Sequence, residues 1–506
     1  VKSKGTVYLV GAGPGDAGLL TLRGAELLRR ADVVLYDALV NPDLLRLAPP
    51  SAEFIARGKN MAMPHEEITA LLIARARAGK CVVRLKGGDP YIFGRGGEEA
   101  EALAAAKVHF EVVPGVSSVV AAPNYAGIPL THREHCSSFT VFTGHENPAA
   151  AATDLRYEQI AKIPGTKVVL MGTERLDDWT KSLIAHGMSP DTPVAMIQWG
   201  TTGKQKSVSG TLATIATLAA RGKISPPVLT IIGDVVKLRE KLNWFEERPL
   251  FGRRIVVTRA REQAGSFAQR LAELGADVLE VPSIKISAPA DRSGIVDALL
   301  ELNAYDWLVF TSANGVTAFF DLFFKRFHDL RDLGGARIAA VGPATAAKLC
   351  ELHLQVDLTP DEALGQKIAE AFRKFESIEN LKICLLRAEA ANPDLPRALE
   401  EFGAIVDDIA VYRTVAETED PAGAGAGADL LEHGADWVMF TSGSTVEHFH
   451  ARFDLPKLAK KFPQLKLASI GPETSKAVHA LGLAPTFEAR EHTTDGLIAD
   501  LLRAEK

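Results

Sequence analysis

At 506 residues the chain is long for one core, and at roughly 100–200 residues per domain it predicts several lobes. With 47% hydrophobic residues, 24% charged and no apolar run near the ~18 residues of a membrane helix, it reads as a soluble globular protein with no membrane partner, and a net charge of −6 argues against nucleic acid. The four cysteines (Cys81, Cys136, Cys350, Cys384) are scattered with no C-x-x-C, which predicts a reducing cytoplasm and no metal site.

Val1-Lys2-Ser3-Lys4 reads as the lead into a strand, not as a signal sequence. The strand Val7-Tyr8-Leu9-Val10 runs into Gly11-Ala12-Gly13-Pro14-Gly15-Asp16, and a helical pattern follows from Leu19 to Leu28. Such a unit lets bare backbone approach a ligand near helix N–H groups. A nicotinamide oxidoreductase is the first rival, but the dinucleotide fingerprint G-x-G-x-x-G/A is missed: the third glycine comes one residue early, and Pro14 lacks an N–H. Asp32–Tyr36 predicts a buried strand ending in Asp37, where the carboxyl end of a sheet presents side chains to a cleft. Arg57-Gly58-Lys59 follows, and Pro64 opens a helix. Cys81–Leu85 predicts a strand running into a second glycine turn, Lys86-Gly87-Gly88-Asp89-Pro90, so one crevice shared by both turns is expected. Beyond strand Phe139–Thr143, a second lobe is predicted from strands Lys167–Met171, Pro193–Ile197 and Val228–Ile232 and helix Leu212–Ala220.

Leu242–Gly252 breaks this rhythm with aromatics, charges, Pro and Gly, and predicts a connector (244–252) docked by its aromatics between domains 1–243 and 253–506. The second half repeats itself. Thr258-Arg259-Ala260 matches Leu386-Arg387-Ala388, Asp306–Ser312 recurs as Asp436–Ser442, and Gly342-Pro343-Ala344-Thr345 recurs as Gly471-Pro472-Glu473-Thr474. Near-constant offsets far above 20–50 residues exclude a solenoid and predict two similar α/β lobes facing a cleft. Thr311, Ser312, Thr441, Ser442, Gly471 and Thr474 stand where a strand passes into a helix, where hydroxyls and free N–H groups either meet anions or simply cap the helix. The Ala/Gly run Ala422–Ala428 reads as a loop or weak helix start.

VGAGPGD, ADVVLYD, RLKGGDPYIFGRGGEE, VVPGVSS, YAGIPLTHR and FTGHE, in this order over roughly residues 5–240, resemble the uroporphyrinogen-III C-methyltransferases, members of the tetrapyrrole methylases. The resemblance implies two α/β lobes with S-adenosylmethionine between them, a homodimer through this half, and methylation of uroporphyrinogen III at C2 and C7 to give precorrin-2, on the way to cobalamin or sirohaem. By resemblance Asp37 is the proton acceptor and Lys59 a donor. Pro14, Gly87, Gly88, Asp89, Ile92, Ser117, Ser118, Met171 and Gly200 are the cofactor contacts, with core packing the alternative for Met171. Arg57, His132 and Arg133, together with Lys59, offer positive charge to a substrate with eight carboxylates, or are solvated surface cations. Two departures from the family bear on substrate contacts: Asn60 replaces the usual arginine in a short loop, and Pro123 interrupts a small-residue helix.

Residues 253–506 resemble uroporphyrinogen-III synthase through VVTRA, FTSANGV, AAVGPAT, VYRT, FTSGSTVEHF and SIGPETSKAV. This implies cyclisation of hydroxymethylbilane with inversion of its last ring, no cofactor, and a chain that crosses twice between lobes, placing 253–284 plus 413–506 in one and 287–410 in the other. Tyr412, at the second crossing, is the candidate acid for loss of the bilane hydroxyl, against a packed strand tyrosine. The whole is expected to be a bifunctional α/β tetrapyrrole enzyme. The alternative is a methyltransferase whose C-terminal half only binds tetrapyrrole.

Overall fold

The computed structural model describes residues 5–57, 64–146, 155–360, 365–418 and 425–506. Lys59 and Asn60, and residues 422–424 of the Ala/Gly run, lie outside them. Four five-stranded sheets organise the described residues.

The first sheet takes β1 (Thr6–Gly11), β2 (Val33–Asp37), β3 (Glu53–Arg57), β4 (Cys81–Lys86) and β5 (His109–Val113) in the order β3-β2-β4-β1-β5, all parallel. Val7 and Leu9 pack on one face with Ile68 and Leu72, while Tyr8 and Val10 pack on the other with Leu27 and Leu28. Burial on both faces explains why these strands read as apolar runs. The second sheet takes β6 (Phe139–Thr143), β7 (Thr166–Leu170), β8 (Pro193–Gln198), β9 (Lys206–Thr211) and β10 (Val228–Ile232) in the order β6-β7-β10-β8-β9. The helix Ser118–Tyr125 runs through Pro123 without ending there.

The C-terminal half contributes β11 (Arg254–Val257), β12 (Asp277–Glu280), β13 (Ile284–Ser287), β14 (Trp307–Phe310), β15 (Arg337–Ala340), β16 (Lys382–Ala388), β17 (Ile405–Ala416), β18 (Trp437–Phe440), β19 (Lys466–Ser469) and β20 (Phe487–Glu488). These form two sheets, β12-β11-β18-β19-β20 and β13-β17-β16-β14-β15. The repeat shows in them strand for strand: β12, β11, β18 and β19 stand in the same order as β17, β16, β14 and β15. Each sheet therefore joins strands from both repeats, so the duplicated sequence unit is not the folding unit. Matching contacts confirm the equivalence. Trp307 and Trp437, both fully buried, donate their indole N–H to Glu376 and Glu505, and Asp306 and Asp436 each accept from the first backbone N–H of the adjacent strand, at Lys382 and Arg254. The antiparallel ladder of β13 with Arg413–Ala416 keeps Ile284 and Arg413–Ala416 in the second of these sheets, so the chain passes between sheets at 281–283 and beyond Ala416.

Candidate active sites

Because the first sheet is parallel, the ends of β1, β2, β4 and β5 share one edge. There three glycines meet. A Cβ on Gly11 would lie 2.4 Å from Gly115 Cα and 2.6 Å from Gly88 O, so no other residue fits without moving backbone. Gly13 and Gly88 exchange backbone hydrogen bonds, Gly88 N to Gly13 O at 2.7 Å and Gly13 N to Gly88 O at 3.3 Å, which joins the two glycine turns. Gly88 has φ +67, the left-handed region. A Cβ on Gly87 would meet only Leu39, at 3.7 Å, so this turn presents bare backbone to open space. Asp89 accepts from Tyr91 N (2.8 Å) and Gly115 N (3.0 Å), tying the β4 turn to the β5 turn with both oxygens. Ser117 caps the helix Ser118–Tyr125 by accepting from Val119 N, and Pro14 stands between Gly13 and Gly15.

The second sheet closes over this edge. Asp16 N donates to Thr201 Oγ1 at 3.1 Å, and Tyr125 donates its hydroxyl to Asp16 Oδ2 at 2.7 Å. Gly200 lies so close to Ala122 that a Cβ there would be 2.6 Å from the alanine methyl. Met171 follows β7 with φ +52 and is 52% exposed, so it is not a core residue. Its turn is pinned by Trp179, whose indole donates to Gly172 O at 2.8 Å. Leu39, Ile92 and Met171 are all exposed, and Leu39 stands beside Gly87.

Asp37, at the end of β2, is half-buried, and its Oδ1 accepts from Arg84 at 2.6 Å, with Arg57 at 3.6 Å. Arg84 is fully buried and also bonds Glu99 Oε1 (3.2 Å), which Lys86 shares at 2.9 Å. Burial, with the charge of Arg84, pushes the Lys86 ammonium down against the pull of Glu99. His132 and Arg133 stand elsewhere. Their turn closes through Cys136, whose thiol lies 3.2 Å from Thr166 Oγ1 at the amino end of β7, whereas Met171 and Gly200 follow the carboxyl ends of β7 and β8. The structure thus gathers Asp37, Arg57, Pro14, Gly87, Gly88, Asp89, Ser117 and Ser118 at one edge and sets His132 and Arg133 apart from it.

In the C-terminal half the helix starts at Ser312 and Ser442 are capped by side chains, whereas the one at Gly471 is not. Ser312 accepts from Gly315 N, and Ser442 forms a capping box with Thr445. Thr311 follows β14, Thr441 follows β18, and Gly471 precedes the helix Pro472–Ala480, all at the carboxyl ends of parallel strands. Thr474 is buried inside that helix, as Thr345 is in the equivalent one, so packing accounts for it. Tyr412 is buried in the core of the second of these sheets, yet its hydroxyl lies 3.0 Å from Ser312 Oγ. A core anchor and a polar end at a helix start thus coincide in one residue.

Sequence reading passed over Arg84, Lys86 and Glu99. The available signal was two cations two positions apart in an otherwise apolar strand, which puts both on one buried face.

The model of the tetrapyrrole (corrin/porphyrin) methylases matches residues 6–216, and that of uroporphyrinogen-III synthase HemD matches 265–499. A protein named porphyrin biosynthesis protein HemD, from Ruminiclostridium josui, is 38% identical over 98% of this chain and 98% of its own. An S-adenosyl-L-methionine-dependent uroporphyrinogen III methyltransferase of Methanosarcina barkeri is 51% identical over 47% of this chain and 94% of its own. A solved uroporphyrin-III C-methyl transferase of Thermus thermophilus, complexed with S-adenyl homocysteine, is 44% identical over 46% of this chain and 99% of its own, with a TM-score of 0.39.

Proposed function

The chain belongs to the family of two-part porphyrin biosynthesis proteins that join a tetrapyrrole methylase to a uroporphyrinogen-III synthase, and from that premise we propose how its residues divide the work. The C-terminal half cyclises hydroxymethylbilane to uroporphyrinogen III with inversion of the last ring. The N-terminal half methylates that product at C2 and C7 to give precorrin-2.

The observation that carries the methyltransferase assignment is the joined pair of glycine turns beside Asp37 on one sheet edge. The crevice suits S-adenosylmethionine: backbone open at Gly87 and Gly88 would admit a ligand that a Cβ would exclude, and exposed Met171 and Ile92 offer apolar contact. Pro14, Gly87, Gly88, Ser117, Ser118, Met171 and Gly200 would hold it, with Asp89 acting through the backbone it ties. When bound, this cofactor supplies an electrophilic methyl group. Asp37 then takes the proton lost from the substrate through Oδ2, since its ion pairs among the described residues lie on Oδ1. Arg57 offers charge to substrate carboxylates, and Lys59 belongs to the same reading. In the synthase half, Tyr412 gives its proton to the departing hydroxyl, and Ser312 supports the phenol. The helix starts after Thr311, Thr441 and Gly471 favour substrate carboxylates at about 0.3–1 kcal/mol each. A homodimer through the methyltransferase half is part of this proposal. Exposed Val120, Phe139, Leu242 and Trp244 around one cleft of about 650 Å³ support it, and light scattering tests it.

The deciding experiment gives the pure protein hydroxymethylbilane with and without S-adenosylmethionine under anaerobic conditions. Uroporphyrinogen III is expected without the cofactor and precorrin-2 with it. Uroporphyrinogen I alone, formed at the uncatalysed rate, would leave the C-terminal half as a binding module.

A further inference from the structure

We propose that Arg84 is a positioning residue for methylation: anchored in the interior by Glu99, it grips one carboxylate oxygen of Asp37 and leaves the other to the substrate. The proposal rests on Asp37 as the proton acceptor. Arg84 has no exposed surface, and its neighbours Val82, Val83 and Leu85 show what this strand carries where only packing matters. A buried arginine is costly unless its charge is met, and an apolar side chain of similar volume is often the more stable choice. Stability alone therefore gives little reason for the charge. The way it is met points toward the cleft. Arg84 spans Glu99 Oε1 at 3.2 Å on the inner side and Asp37 Oδ1 at 2.6 Å on the outer side.

Glu99 is buried as completely, and it serves both Arg84 and Lys86 through Oε1, while Oε2 has no hydrogen-bond partner among the described residues. Glu99 thus holds two cations at the end of β4, one beside Asp37 and the other next to the glycine turn. The charged groups facing Asp37 among the described residues are Arg57 from β3, Arg84 and Lys86 from β4, and Glu99 from the helix Gly96–Ala105. Removing Arg84 and removing the charge of Glu99 should thus act on Asp37 in opposite directions.

The test measures methylation of uroporphyrinogen III across pH by Arg84→Met, Arg84→Lys, Glu99→Gln and Asp37→Asn, with thermal unfolding and S-adenosylhomocysteine binding as controls. Arg84→Met is expected to lose about 10- to 100-fold in kcat, with KM little changed, and to move the acidic limb of the rate profile to higher pH. Glu99→Gln should move that limb to lower pH. Arg84→Lys, which keeps the charge but not the fork, should restore the limb and only part of kcat. Should Arg84→Met not fold, the limb of Glu99→Gln and the partial kcat of Arg84→Lys still decide the matter. A wild-type profile in folded Arg84→Met or Glu99→Gln, or shifts of the same sign in the two, would overturn the proposal. Asp37→Asn separates the two levels. If it methylates at the wild-type rate, Asp37 is not the acceptor. If it is inactive while Arg84→Met keeps its profile, only the role of Arg84 falls.

Discussion

Tyr412 shows how one residue can satisfy two readings. Its ring packs with Val411, Leu386 and Phe310 in a core, and its hydroxyl reaches Ser312, whose own oxygen accepts the Gly315 N–H at a helix start. A proton leaving the phenol can be replaced in the hydrogen bond by that of Ser312, with the helix N-terminus behind it. The bilane hydroxyl is prone to leave without help, so cleft shape does more than the acid. Tyr412→Phe is therefore expected to slow cyclisation roughly ten- to a hundredfold while the product stays isomer III, read by separating the oxidised isomers. An unchanged rate would return Tyr412 to packing alone, and isomer I at the enzymatic rate would show that the phenol steers the ring.

Among elements, the glycine turns at the ends of β1 and β4 form the proposed cofactor crevice. They are bound to each other, not merely adjacent, and Asp89 adds the β5 turn by accepting from Gly115. A substitution at Gly88 therefore acts in two ways. It places a branched side chain near Ser117 and Ser118, and it strains a backbone at φ +67 that β-branched residues avoid. Gly88→Val should abolish calorimetric binding of S-adenosylhomocysteine and lower stability by about 1–3 kcal/mol, with synthase turnover unaffected. Normal affinity in the folded variant would mean that the two turns do not face one ligand.

At the scale of the molecule, the halves are docked along β12, an edge strand that would otherwise be open to pairing. Arg46 pairs with Glu280 at one end of β12, and Lys204 with Asp277 and Asp429 at the other, while Gly203 packs directly on Ala276. Burial alone would raise the Asp429 carboxyl, but Lys204 and Arg254 outweigh it and leave it below the usual range. A carboxyl lowered in the docked state adds stability above its ordinary value near ~4 and loses it as pH falls through the lower docked value. The Lys204–Asp429 contribution to docking is thus expected to fade only below about pH 4 and in high salt, and Lys204→Met should remove it. The measurement needs the halves apart. Phe245 packs on Tyr125 of the first half, whereas Leu250 belongs to the core around β11, so the boundary lies between them. Fragments 1–247 and 248–506, co-expressed, should copurify at low salt, separate at high salt, and keep one activity each. If neither folds alone, the two halves share a core.

Much of this was written locally. Strand-end glycine turns, the apolar runs of β1, β2 and β4, the aromatic connector and the 128-to-130-residue repeat are properties of neighbouring residues or of repeated strings, so the sequence by itself determined the α/β class, the family of each half and the position of Asp37. Other features come from residues far apart in the chain. That Arg84 meets both Asp37 and Glu99 depends on the register of β4 beside β2 and on a helix packed behind them, and no short window of sequence contains all three. His132 and Arg133 looked equivalent to Arg57 as cations beside motifs, but a turn anchored at the amino end of β7 carries them to another edge. In the C-terminal half, each sheet draws half of its repeated strands from each copy of the repeat. Composition and period cannot express that exchange, because two near-identical units offer the same local pairings and only the connections and the packed cores choose between them.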